Sequence, residues 1–179
     1  MNQQSVFGIA ATEEQAVFAL QNLSAGGFSE RAISALFPDQ TTLRDFGHEK
    51  HTKAPEGTVS GASTGGLVGG TIGLLAALGT ITIPGMGALV AAGPLLSTLS
   101  GAAAGAAVGG LVGALVGLGI PEYEAKRYEG KIRDGNILIA VHTESSEEKD
   151  RAIETLKRTG IQDIGVGKEV SIDEKKRAA

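Results

Sequence analysis

Hydrophobic and polar positions run through one short sequence of elements near the start of the chain, and through it again near the end. Val6-Phe7-Gly8-Ile9-Ala10 has strand character, and Thr12-Glu13-Glu14-Gln15 then has the spacing of a capping box. Ala16, Ala19, Leu20 and Leu23 recur at helical spacing before Gly26-Gly27 stops the helix. Ala32 to Phe37 predicts a second strand, ended by Pro38. The order returns with a strand at Ile137 to Val141, a capping box at Ser145 and Glu148, and a helical face of Ala152, Ile153 and Leu156. Gly160 is its stop, and Gln162 to Gly167 its closing strand. Ser145 lies 133 positions after Thr12, and Glu148 the same distance after Gln15. A further helix over 122–133, with Tyr128 and Ile132 on one side and Gly135 as its stop, precedes the third strand.

Two βαβ units in tandem predict an α+β fold, a ferredoxin-like βαβ–(α)βαβ arrangement of four antiparallel strands with helices on one face. The second and third strands of such a sheet are neighbours. Whatever lies between them must leave and return at nearly one point, which a helical hairpin does at little geometric cost.

From Gly57 to Pro121 the pattern changes. These 65 residues contain no Asp, Glu, Lys, Arg or His, and they hold 18 of the 27 glycines. Gly61, Gly65, Gly69 and Gly73 form one four-residue ladder; Gly101, Gly105, Gly109, Gly113 and Gly117 form a second. Glycine costs a water-exposed helix roughly 1 kcal/mol per residue relative to alanine. A stripe of them is useful where another backbone must come close, as in small-xxx-small packing within bilayers. A four-residue step drifts about 40° per rung, favouring oblique helix crossings. Residues 59–79 and 95–119 are therefore expected as two apolar helices, each long enough to span a bilayer. A bend containing Pro84, Gly85, Gly93 and Pro94 joins them, with Pro94 at the first position of the second helix. Leu111, Val112, Leu115, Val116 and Leu118 would face acyl chains.

The flanks carry Arg44, Lys50 and Lys53 before the hairpin and Lys126, Arg127, Lys131 and Arg133 after it. Both ends would then be cytoplasmic, with only the bend on the far side. The amino terminus, Met1 to Ser5, has no secretory signal pattern. The expected organisation is a discontinuous α+β domain (1–43 and 122–170), a polar linker (44–58), a glycine-zipper helical hairpin (59–121) and a charged disordered tail (171–179).

Composition narrows the chemistry. A net charge of −4 without a basic stripe argues against a nucleic-acid partner. With no cysteine, disulfides, thiolate catalysis and Cys-based zinc sites are excluded. Aromatic residues are 4% of the chain and Trp is absent, so the core must be aliphatic. His48 and His51, with Asp45 and Glu49, have a metal-like spacing, yet Gly47 and Pro55 mark a loop and solvated residues are the better reading. His142 ends a strand with no nucleophile beside it in sequence. Gly65-Gly66-Leu67-Val68-Gly69-Gly70 lacks the Lys-Ser/Thr of a phosphate loop. Tyr123 and Tyr128 could anchor an interface or pack on the sheet. No catalytic, cofactor or metal site is expected.

One stretch resembles a known family. His51-Thr52-Lys53-Ala54-Pro55-Glu56-Gly57, Ile83-Pro84-Gly85-Met86-Gly87 with Ala91-Ala92-Gly93-Pro94, and Gly119-Ile120-Pro121-Glu122 are similar to segments of bacterial general-stress and low-temperature-induced proteins. Ala125, Tyr128, Glu129 and Gly135 extend the resemblance, which covers roughly residues 5–168. It implies a stress-associated protein without catalysis. The expectation is then a non-enzymatic homo-oligomer, held by its glycine faces, that anchors in or coats the bacterial inner membrane. The alternative is a soluble, cytoplasmic particle with the hairpins buried inside it; a pore-former and a small-molecule sensor are further readings.

Overall fold

The computed structural model of the chain describes residues 4–38, 79–83, 87–95, 99, 110–116 and 119–168. The elements are β1 (Gln4–Ala10), α1 (Glu13–Ala25), β2 (Ile33–Phe37), β3 (Gly79–Ile83), β4 (Gly87–Ala92), α2 (Glu122–Arg133), β5 (Ile137–Thr143), α3 (Ser146–Arg158) and β6 (Gln162–Lys168). A 3₁₀ turn, Glu30–Ala32, leads into β2. The fold is α+β, with one six-stranded sheet of order β3-β4-β2-β5-β1-β6 and every neighbouring pair antiparallel.

Both capping boxes form, and they are near copies. Thr12 and Ser145 each have φ −136° and ψ 162°. Thr12 Oγ1 accepts from the Gln15 N–H at 3.2 Å, and Ser145 Oγ accepts from the Glu148 N–H at 3.1 Å. The reciprocal bonds run from the Ala11 N–H to Gln15 Oε1 (2.8 Å) and from the Glu144 N–H to Glu148 Oε2 (2.9 Å). Each box thus satisfies two of the donors that a helix start leaves open. The repeat extends to strand pairing. In the β1–β5 ladder the partner numbers, from Gln4–Thr143 to Ala10–Ile137, always add to 147. Phe7 and Ala140, partners in that ladder, are themselves 133 apart, so a pseudo-twofold axis passes through this pair.

Strand alternation gives the sheet two buried faces. Val6, Ala10, Ile33, Ala35, Phe37, Val90, Ala92, Ile137, Ile139 and Val141 meet α1 and α3 through Ala16, Ala19, Leu20, Leu23, Ala152 and Leu156. Phe7, Ile9, Leu36, Leu89, Ala91, Leu138 and Ala140 point the other way. They are covered by Ala125, Tyr128 and Ile132 of α2, and by Leu95, Leu99, Leu111, Ala114, Leu115 and Ile120. The sheet therefore has six strands rather than the expected four, and apolar cover on both sides rather than one.

The middle of the charge-free segment accounts for the difference. Residues 79–83 and 87–92, expected in a bend and its flanks, are strands β3 and β4. Ala35, Leu36 and Phe37 of β2 pair with Ala92, Ala91 and Val90 of β4. Residues 110–116 are helical, yet Gly110 has φ +60°, a left-handed conformation foreign to a helix interior, so no unbroken helix covers 95–119. Gly93 and Pro94 follow β4, and residues 94–95 begin a helical turn as expected of a proline at a first helical position.

Among the described residues no helix is long and apolar enough to cross a membrane. This contradicts the expected transmembrane helices of the hairpin. The physical reason is on both sides of the segment. Its middle is hydrogen-bonded to β2, whereas a spanning hairpin would hold that bend ~30 Å away across the bilayer. Leu111 and Leu115, expected to face acyl chains, are fully buried in the second core. Gly113 is half-buried in the same segment. Gly61, Gly65, Gly69, Gly73, Gly101, Gly105, Gly109, Gly117, Pro84 and Gly85 lie outside the described residues. So do the linker 44–58, with His48 and His51, and the tail 171–179.

Candidate functional site

Chemistry-bearing side chains converge at one end of β5. Its register places His142 opposite Ser5 of β1, while Ser34 of β2 pairs with Ala140 two residues away. All three side chains fall on the second face of the sheet, because residues two apart on a strand share a face. Ser5 Oγ lies 2.9 Å from His142 Nδ1, and Ser34 Oγ lies 3.3 Å from Nε2. Ser34 Oγ also accepts the Leu95 N–H at 3.0 Å. The imidazole is thus held at both nitrogens, and the Ser34 hydroxyl fastens the first turn after β4 to the sheet. Gly93 makes that approach feasible. Its φ is +72°, and a Cβ there would run into the Ile33 carbonyl.

No partner for His142 is readable along the chain, and the positions of its two serines explain why. They lie 137 and 108 residues away, so no local motif marks them. A Ser–His pair invites a hydrolase reading, but Ser5 is 1% exposed and Ser34 0%, so neither hydroxyl can reach an acyl substrate. The group ties β1, β2 and β5 to the turn at Leu95.

A cavity of about 460 Å³ opens beside it, within the range of small-molecule sites. Its walls are the turn before β2 (Gly27, Phe28, Ser29, Arg31, Ala32), Pro94, and the end of β5 with the start of α3 (His142, Thr143, Glu144, Glu148). Phe28 is buried, with the Arg151 guanidinium 5.1 Å from its ring centre. The exposed Arg31 makes no ion pair among the described residues. Glu148 Oε2 serves the capping box, which leaves its other oxygen lone pairs available. Among the described residues no cluster of three His, Cys, Asp or Glu side chains could hold a metal ion.

A second polar group locks α2 onto β6. Asp163, at φ +52°, pairs through its carboxylate with Arg127 and, at 3.8 Å, with Lys131. Its carbonyl accepts the Tyr128 hydroxyl at 2.9 Å. Tyr128 is buried against Phe7, with ring centres 6.4 Å apart, so packing rather than interfacial anchoring is its role. Tyr123 is 80% exposed. Glu124 Oε2 is buried without a hydrogen-bond partner beside Gly165. These contacts dock α2 against β6. Comparison with models of known families, with curated proteins and with solved structures finds no match.

Proposed function

We propose that this chain is a non-enzymatic protein that self-associates through its charge-free glycine-rich segments, with the sheet as their platform. The four strands β2-β5-β1-β6, with α1 and α3 on one face, are read as a ferredoxin-like unit, which β3 and β4 extend at one edge.

One observation carries the reading. The helical residues 110–116 bury Leu111, Ala114 and Leu115 on the sheet, while Val116 on the outer side is 41% exposed and Val112 and Gly113 are half-buried. No charge occurs anywhere between Gly57 and Pro121 to solvate that outer side. An apolar helix with one side on its own sheet and an uncharged outer side is suited to packing against the same surface of another copy. The burial of Ser5 and Ser34 supports a role without acyl-transfer chemistry. The resemblance to bacterial general-stress and low-temperature-induced proteins is the support for reading this assembly in a stress setting.

Light scattering with sedimentation of the full-length protein in detergent-free buffer tests the proposal. Discrete particles of several copies are expected, and Gly105→Leu or Gly109→Leu should shrink them while the circular dichroism of the sheet is retained. A single-copy mass at high concentration, or particles unaffected by either substitution, would falsify it. Particles that form only on added phospholipid vesicles would point instead to a surface-bound coat.

A further inference from the structure

The pseudo-twofold axis allows the two halves to be compared at equivalent positions, and they differ at one functional place. In one half, Gln15 Nε2 donates to the Gly160 carbonyl at 2.6 Å and approaches the Thr159 carbonyl at 3.5 Å. The start of α1 is thereby tied to the end of α3. The equivalents of Gln15 and Gly160 in the other half are Glu148 and Gly27, each 133 positions removed. Glycine with positive φ occupies both stops, +78° at Gly160 and +88° at Gly27. The closing bond, however, has no counterpart. A carboxylate has no N–H to give to a carbonyl. Glu148 and Gly27 instead both line the cavity of about 460 Å³.

We infer that this cavity is a binding site for a small zwitterion of the α-amino-acid class. The ligand's ammonium takes the place that the Gln15 amide fills in the other half, donating to the Glu148 carboxylate and to the Gly27 end of the turn. Its carboxylate is met by the Arg31 guanidinium, with Ser29, Thr143 and His142 as polar neighbours. Phe28, Ala32 and Pro94 supply apolar walls for a short side chain. The sign balance selects the class. A simple anion would face Glu144 and Glu148, and a simple amine would leave Arg31 without a partner. The doubly held His142 lines the cavity, and through Ser34 and Leu95 connects it to the chain between β4 and the second glycine ladder. The inference is independent of self-association, because every wall residue lies outside the glycine ladders.

The test is a titration of the full-length protein, followed by backbone amide chemical shifts and calorimetry. The probes are L-leucine and L-glutamine, with isoamylamine and isocaproate as analogues of leucine lacking one charged group. At least one amino acid should perturb residues 27–32 and 142–148, and both analogues should bind about tenfold or more weakly. Arg31→Gln, at an exposed position, should weaken binding by a similar factor. Glu148→Gln is the sharper variant. Glutamine keeps the capping box and restores the missing donor, so it should close the site and abolish binding with the fold retained. The inference is overturned if neither amino acid binds up to about 10 mM, if either analogue binds as well as leucine, or if Glu148→Gln binds normally.

Discussion

Tyr128 shows how one side chain reports on the packing of a whole edge. Burial, with Glu124 adding and Arg127 opposing, pushes its phenol up to about 12. The unfolded chain releases that proton near pH 10. A raised native value means that the contribution to stability is complete below about pH 10 and is lost as pH climbs towards 12. The expected loss is roughly 2–3 kcal/mol over that interval. Urea denaturation at a series of alkaline pH values should show this slope in the native protein and not in Tyr128→Phe. In Tyr123→Phe the phenolate absorbance of the remaining tyrosine should rise only near pH 12 or on unfolding. A titration complete near pH 10 would mean that α2 does not seal this ring against the sheet.

At the scale of elements, the two capping boxes offer a paired test. Their N-cap dihedral angles agree and their hydrogen bonds differ by about a tenth of an ångström. Thr12→Ala and Ser145→Ala should each cost about 1 kcal/mol, and the same within about half of that. If chemical denaturation finds one of them silent, the helices are not equivalent. These boxes were legible in the sequence because each closes within four residues, and the same holds for the glycine stops at Gly27, Gly135 and Gly160. The β3–β4 pair was missed although Thr80-Ile81-Thr82-Ile83 are four consecutive β-branched residues, alternately hydroxylic and apolar, and the Pro84-Gly85 dipeptide is a turn signal. The four-residue glycine ladders on either side impose a helical reading, and Pro84 then passes for a helix breaker. The cavity was invisible for another reason. Its walls come from residues 27–32, 94 and 142–148, which only the β2–β5 and β1–β5 registers bring together.

For the molecule as a whole, the decisive change from the sequence reading concerns the described part of the apolar segment. Leu95, Leu99, Leu111 and Leu115 belong to the second cover of the sheet, so Leu115→Ala should destabilise the entire domain by about 2–5 kcal/mol in detergent-free buffer. A leucine outside the core would cost next to nothing there, and urea denaturation separates the two cases. The matched ladder of β1 and β5 carries a separate consequence. Two identical βαβ peptides, each offering its first strand to the other, would dimerise into the same four-stranded unit, β2-β5-β1-β6. The covalent link between such peptides is the one part their symmetry leaves unspecified, and here it is the apolar insertion. A tandem fusion would therefore have been free to lengthen at that seam, acquiring a second layer and two extra strands without disturbing either parent half.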